Sequence, residues 1–106
     1  MTTPSIVSTV IAAVNAGDTD AFLALFEETG SVDDWGDVYR GKTEIRAWSD
    51  RELIGVKARF ILRASEQRGD EASMQVDVGG NGFNGPSRFT FTMKDGRIAK
   101  MLITGE

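Results

Sequence analysis

The chain contains no histidine and no cysteine. Without histidine it lacks the side chain that most often acts as a base near neutral pH and most often ligates metals. A Ser-His-Asp or Cys-His catalytic arrangement is excluded, and zinc or copper sites are not expected. Without cysteine there is no disulfide and no thiol nucleophile. Basic residues are also in short supply: 12 Lys and Arg against 16 Asp and Glu give a net charge of -4. No basic face is then available for phosphates, so nucleic acid is not an expected partner. No apolar run approaches the ~20 residues of a membrane-spanning helix, so no membrane partner is expected. The N-terminal residues show no basic region followed by an apolar stretch; no secretory leader is expected, and the expected location is cytoplasmic. Any acid–base chemistry falls to Asp, Glu, Lys, the single tyrosine, Tyr39, or a water that they hold.

What is present is an ordered succession of helix and strand signals. At 106 residues the chain is expected to form one domain, 1–106, with a single core that removes roughly two-thirds of the unfolded chain's surface from water. Thr3 and Pro4 read as N-cap and first position of a helix. Val7, Val10, Ile11 and Val14 then recur at helical spacing, and Gly17 ends the helix. Asp18 is placed to cap a second helix, with Phe22, Leu25 and Phe26 as its apolar stripe and Gly30 as its stop. A short strand over Ser31–Trp35 follows. A third helix begins near Lys42 and Thr43 and ends by Gly55. The remainder alternates at period two. Ala58, Phe60 and Leu62 share a side, as do Ala72, Met74, Val76 and Val78; so do Phe89, Phe91 and Met93, and then Ala99, Met101 and Ile103. Gly69-Asp70 and Asp95-Gly96 mark hairpin turns. Helices first and antiparallel strands afterwards predict an α+β fold: a strongly curved, mostly antiparallel sheet wrapped around helices, the third above all, and enclosing a pocket.

Several constellations point to a site. Gly80-Asn81-Gly82-Phe83-Asn84-Gly85 fits a dinucleotide-binding pattern of glycines. That motif needs a strand before it and a helix after it, and here Pro86-Ser87-Arg88-Phe89 enters a strand. A wide turn is predicted, with Phe83 and Asn84 as a rim over a pocket mouth. Asp33, Asp34 and Asp37 do not have calcium-loop spacing, since Trp35 interrupts them. Asp33 and Asp37 read as a solvated acidic turn. Asp34 differs, because it shares a strand face with Val32 and turns inward if Val32 does. On the third helix Ile45, Trp48, Ser49 and Glu52 fall on one face, which places Glu52 inside an apolar stripe. Glu52 is expected to be largely buried and hydrogen-bonded. Asp34 and Glu52 are the candidate acid–base pair; Trp35, Tyr39, Trp48, Ser49, Phe83 and Asn84 are candidate ligand contacts. No metal ligands and no cofactor are expected.

The segments Val14-Asn15-Ala16-Gly17-Asp18, Ala24-Leu25-Phe26, Val32-Asp33-Asp34 and Arg40-Gly41-Lys42-Thr43-Glu44-Ile45 resemble the cone-shaped fold of nuclear transport factor 2, ketosteroid isomerase and the SnoaL-like polyketide cyclases. The resemblance covers essentially the whole chain. Asp34-Trp35-Gly36, Ile45–Glu52 and Gly82-Phe83-Asn84-Gly85-Pro86 are similar to a bacterial subgroup of this fold with no assigned activity. The resemblance implies that Asp34 stands where ketosteroid isomerase has its general base. It also puts Val10 in place of the oxyanion tyrosine, and Ser87 or a neighbour in place of the protonated aspartate, so both donors of that reaction are missing. Two functions are compatible with this: a pocket for an apolar or aromatic ligand with a polar end, using isomerase-, dehydratase- or cyclase-type carboxylate chemistry, or a non-catalytic dimeric binding or accessory protein. Ile61, Ile98 and Leu102 lie opposite the predicted core-facing residues, and such an outer face predicts a homodimer.

Overall fold

Helix α1 (Ser5–Ala16) forms where Val7, Val10, Ala13 and Val14 recur on one face, and that face is buried. The computed structural model describes residues 3–105; Met1, Thr2 and Glu106 lie outside them. The α1 cap is Pro4 rather than Thr3. Its carbonyl accepts from the N–H groups of Val7 and Ser8, and no side chain caps the helix. Asp18 caps α2 (Thr19–Ala24) as predicted, accepting from the Ala21 N–H at 3.0 Å.

The second helix is shorter than predicted. From Phe26 the chain is already extended, as strand β1 (Phe26–Asp34). Gly30 therefore stops no helix. A β-carbon there would stand 2.9 Å from the Ile98 carbonyl oxygen, so glycine lets β1 run close against its neighbour beside a register irregularity. Phe22 and Phe26 close the helix–strand junction with rings edge to face, 5.2 Å apart.

A two-residue turn, Trp35-Gly36, leads into β2 (Asp37–Arg40), which the sequence pattern did not predict. Helix α3 (Gly41–Glu52) and a short 3-10 turn (Ile54–Val56) follow. Four strands complete the chain: β3 (Arg59–Arg68), β4 (Glu71–Gly79), β5 (Gly85–Lys94) and β6 (Arg97–Thr104). The curved, unclosed sheet has the order β2-β1-β6-β5-β4-β3; β1 and β6 are parallel and every other pair is antiparallel. Helix α3 packs on β1 and β2, whereas α1 packs on β3 and β4. The sheet thus wraps two helices, not the third alone.

The core lies between these helices and the inner sheet face, with Trp48, Phe22, Phe26 and Phe91 as its largest fully buried side chains. The predicted alternation holds along β4 and β5. It breaks in β6, where an irregularity opposite Thr92 and Met93 adds a residue. Ile98 consequently joins Met101 and Ile103 in the core, and Ala99 does not. This corrects the outer-face reading of Ile98. Of the residues read as outward, Ile61 is 66% exposed and Leu102 half-buried.

Strand β3 is a sheet edge, and its free side would leave backbone groups unpaired. Asn15, near the end of α1, fills that gap at Phe60. Its amide Nδ2 donates to the Phe60 carbonyl at 3.0 Å and its Oδ1 accepts from the Phe60 N–H at 2.7 Å. Only a carboxamide supplies both a donor and an acceptor in this geometry. Asn15→Leu should destabilise the fold by about 2 kcal/mol, two neutral hydrogen bonds at about 1 kcal/mol each. Asn15→Asp should also destabilise it, because a carboxylate cannot donate to the carbonyl. Urea denaturation measures both; an unchanged midpoint in either variant contradicts this role.

Candidate functional site

The inner face of the sheet is not filled at one end. There a cavity of about 270 Å³ opens between the β1–β2 hairpin, the end of α3 and the inner faces of β3 to β6. Its walls are mainly apolar, in contrast to four other concavities of the described surface. Phe60, Val78, Phe89 and Ile103 reach it from four successive strands. Leu53 adds to them from the end of α3. This is the concave, largely apolar surface with a few convergent polar groups that small-molecule sites share.

The polar groups come from the opposite wall. Asp34 ends β1 on the face shared with buried Val32, so strand alternation turns its carboxylate toward the cavity. One oxygen, Oδ2, accepts from the indole N–H of Trp48 at 3.0 Å. Trp48 is 1% exposed and belongs to the core, so it is a rigid donor. The hydrogen bond fixes the carboxylate plane, and no described residue bonds Oδ1. Asp37 stands directly across the hairpin from Asp34 and also lines the cavity. Glu52, one helical turn beyond Trp48, lines it too. Contrary to expectation, Glu52 is exposed and has no hydrogen bond among the described residues. The helix ends there, and its last turn clears the sheet. Across the cavity lies Ser87 on β5, 2% exposed, with no side-chain hydrogen bond among the described residues.

Two exposed aromatic rings frame the mouth. Trp35 is 64% and Phe83 53% exposed. Each leans on a glycine: a β-carbon at Gly105 would stand 2.9 Å from the Trp35 ring, and one at Gly85 would stand 3.3 Å from the Phe83 ring. Trp35 and Gly36 have φ of 56° and 99°, the left-handed pair that a two-residue hairpin of type I′ requires. A tryptophan in that conformation is uncommon and strained.

The other candidates have different surroundings. Tyr39 is half-buried outside the cavity lining, its ring 6.2 Å from that of Trp48 and covered by the Arg51 guanidinium at 5.5 Å. Ser49 is fully buried, and its Oγ accepts from the Ile54 N–H at 3.4 Å at the end of α3. Asn84 closes its own loop, donating to the Gly80 and Gly82 carbonyls. That loop is a wide turn between β4 and β5, as the strand after it predicts. Asp33 accepts from the Gly36 N–H at 2.9 Å and braces the hairpin. No group of acidic residues with metal-binding geometry occurs among the described residues. Sequence reasoning missed Asp37, whose facing depends on the two-residue turn, and the apolar wall, whose strands were each predicted without their common convergence.

A model of the SnoaL-like domain matches residues 7–101, and the chain belongs to that family. Its fold is that of a candidate polyketide cyclase from Sinorhizobium meliloti, at 29% identity and a TM-score of 0.83, covering 95% of this chain and 94% of the other. A candidate polyketide cyclase from Pseudomonas putida is 27% identical, with a TM-score of 0.75 over 100% and 92% of the two chains. A ketosteroid isomerase-like fold protein from Catenulispora acidiphila, solved in complex with trimethylamine, is 21% identical, with a TM-score of 0.83 over 97% and 86%. No curated protein matches the chain. No helix among the described residues is long and apolar enough to cross a membrane.

The Trp35 conformation gives a direct test of whether this turn is built for stability. Trp35→Asn produces Asn-Gly, the preferred type I′ pair. The ring is mostly exposed, so little packing is lost. Stability in urea should rise by about 1 kcal/mol, the lower end of the cost of one strained residue. A fall of that size would show that the indole supports the fold and does not merely frame the cavity.

Proposed function

We propose that the cavity binds a small, largely apolar ligand and that Asp34 moves a proton on it, as an isomerase, dehydratase or cyclase of this scaffold would. The observation that carries this reading is the Asp34 carboxylate itself. It faces a mainly apolar cavity with one oxygen held by the Trp48 indole and the other unbonded by described residues. The free oxygen is the basic one. It would take a proton from a carbon beside a carbonyl, or from a hydroxyl, and return it at a second position. The Ser87 hydroxyl, which lines the opposite wall, would donate to the oxygen on which charge develops. At about 270 Å³ the space is just under the roughly 300–1,000 Å³ of typical ligand pockets, so the occupant is small.

One observation favours the non-catalytic alternative. Val10 is fully buried in the core and contributes no donor, so Ser87 stands without a second hydroxyl. Homodimer formation through the outer sheet face remains part of the proposal, supported by exposed Ile61 and Val38. Sedimentation velocity at micromolar concentration should give a dimer mass, and a monomer mass would remove it.

Both tryptophans of the chain line the cavity, so fluorescence quenching reports occupancy selectively. A panel of small enolisable ketones and esters, incubated in D2O and followed by NMR, tests the chemistry whatever the final product is. Members that quench fluorescence should exchange the α-proton faster with protein than without it. Asp34→Asn should lower that exchange by about 10²-fold or more while quenching persists, since the amide oxygen can still accept from Trp48. Exchange unchanged by Asp34→Asn, or absent for every bound member, contradicts the catalytic reading and leaves the binding one.

A further inference from the structure

We propose that the ligand of this cavity is an organic cation: a small ammonium compound with apolar substituents, such as a tertiary or quaternary amine. The inference rests on the reading of the cavity as a ligand site and specifies the charge of what it takes.

Three carboxylates face the space from one wall: Asp34 and Asp37 from the two strands of the hairpin, and Glu52 from the end of α3. No Lys or Arg lines it. None of the four ion pairs among the described residues includes any of the three. Of the three basic residues next in sequence to the lining, Arg59 is exposed on the strand before inward Phe60 and the other two are held elsewhere. Arg51 lies over the Tyr39 ring, and Arg88 donates to Ser73 on the outer sheet face. The C-terminal turn of α3 also ends at this wall, with the negative end of its dipole. This wall would repel an anionic ligand.

The remaining surface has the other property that a cation needs. Five aromatic rings, those of Trp35, Trp48, Phe60, Phe83 and Phe89, line the same cavity. The face of an aromatic ring attracts an alkylammonium group through its quadrupole, and apolar substituents on the cation are buried at the same time. A metal ion finds no such match, since no acidic residues with metal-binding geometry gather among the described residues. Ser87 lines the same cavity, and its hydroxyl is open to a donor or acceptor on the ligand.

The test uses three probes of the same shape: 4-hydroxyphenyltrimethylammonium, 4-tert-butylphenol and 4-tert-butylbenzoate, which are cationic, neutral and anionic. Calorimetry and tryptophan fluorescence on the full chain measure binding. The cation should bind at least tenfold more tightly than the neutral isostere, and the benzoate most weakly. The preference should shrink as salt rises, because Asp37 and Glu52 are exposed. It should fall severalfold in Asp37→Asn combined with Glu52→Gln, two surface changes that leave the core intact. Equal or tighter binding of the neutral phenol overturns the cation assignment and leaves the cavity as a ligand site. Failure of all three to bind overturns the assignment and the site reading together. A cation preference that survives both substitutions unchanged overturns the role of the carboxylate wall.

Discussion

The hydrogen bond from the Trp48 indole to Asp34 is the interaction on which the rest of the site depends. It joins the end of β1 to α3, two elements that also pack together and share a Lys42–Glu28 ion pair at their other end. Trp48 is a large, immobile core residue, so its N–H is a fixed point. A carboxylate turned inward from a strand would lose hydration without a compensating partner. The indole supplies one partner and leaves one oxygen exposed to the cavity. The same contact therefore offsets the cost of the inward-facing carboxylate and gives it a single orientation, which is the pre-organisation a proton-transferring group requires.

Around this contact the fold divides its labour. The helix-and-hairpin wall carries charge: Asp34, Asp37 and Glu52. The strand wall carries apolar surface and one hydroxyl, that of Ser87. The side chain of Asn15, far along the chain, pins Phe60 to the edge of that second wall through both backbone groups. At the mouth Trp35 holds a left-handed backbone conformation, which Lys57 and Asp95 share in turns elsewhere, and its ring frames the opening instead of filling the core. Strain at such a position is a feature of sites more than of scaffolds. The SnoaL-like family membership sets the frame, and a shared frame leaves the chemistry to these particular side chains.

Much of this was legible in the sequence because it rests on local rules. The stripes of α1 and the alternation of β4 and β5 are periodic, and Asp18 caps its helix by ordinary side-chain chemistry. The inward direction of Asp34 follows from Val32 two residues earlier on the same strand. What was not legible depends on contacts distant in sequence. Gly30 reads as a helix stop until the carbonyl of Ile98 is seen beside it. The added residue in β6 moves Ile98 inward and Ala99 out of the core row, and only the pairing with β5 shows it. The partner of Asn15 lies 45 residues away. Glu52 sits on the predicted helix face, but the helix ends before that face meets the sheet. Asp37 was read as part of a solvated turn, and its place beside the cavity depends on a two-residue hairpin that puts it opposite Asp34.

A double-mutant cycle between Asp34 and Trp48 measures the central contact most directly. Asp34→Ala, Trp48→Phe and the double variant are compared by urea denaturation, and the cycle cancels the separate costs of the lost carboxylate and the smaller ring. A half-buried hydrogen bond to a charged acceptor should give a coupling energy of about 1.5 kcal/mol or more. Additive effects, within roughly 0.5 kcal/mol, would mean that the indole does not hold the carboxylate, and the site as built here would lose its fixed point.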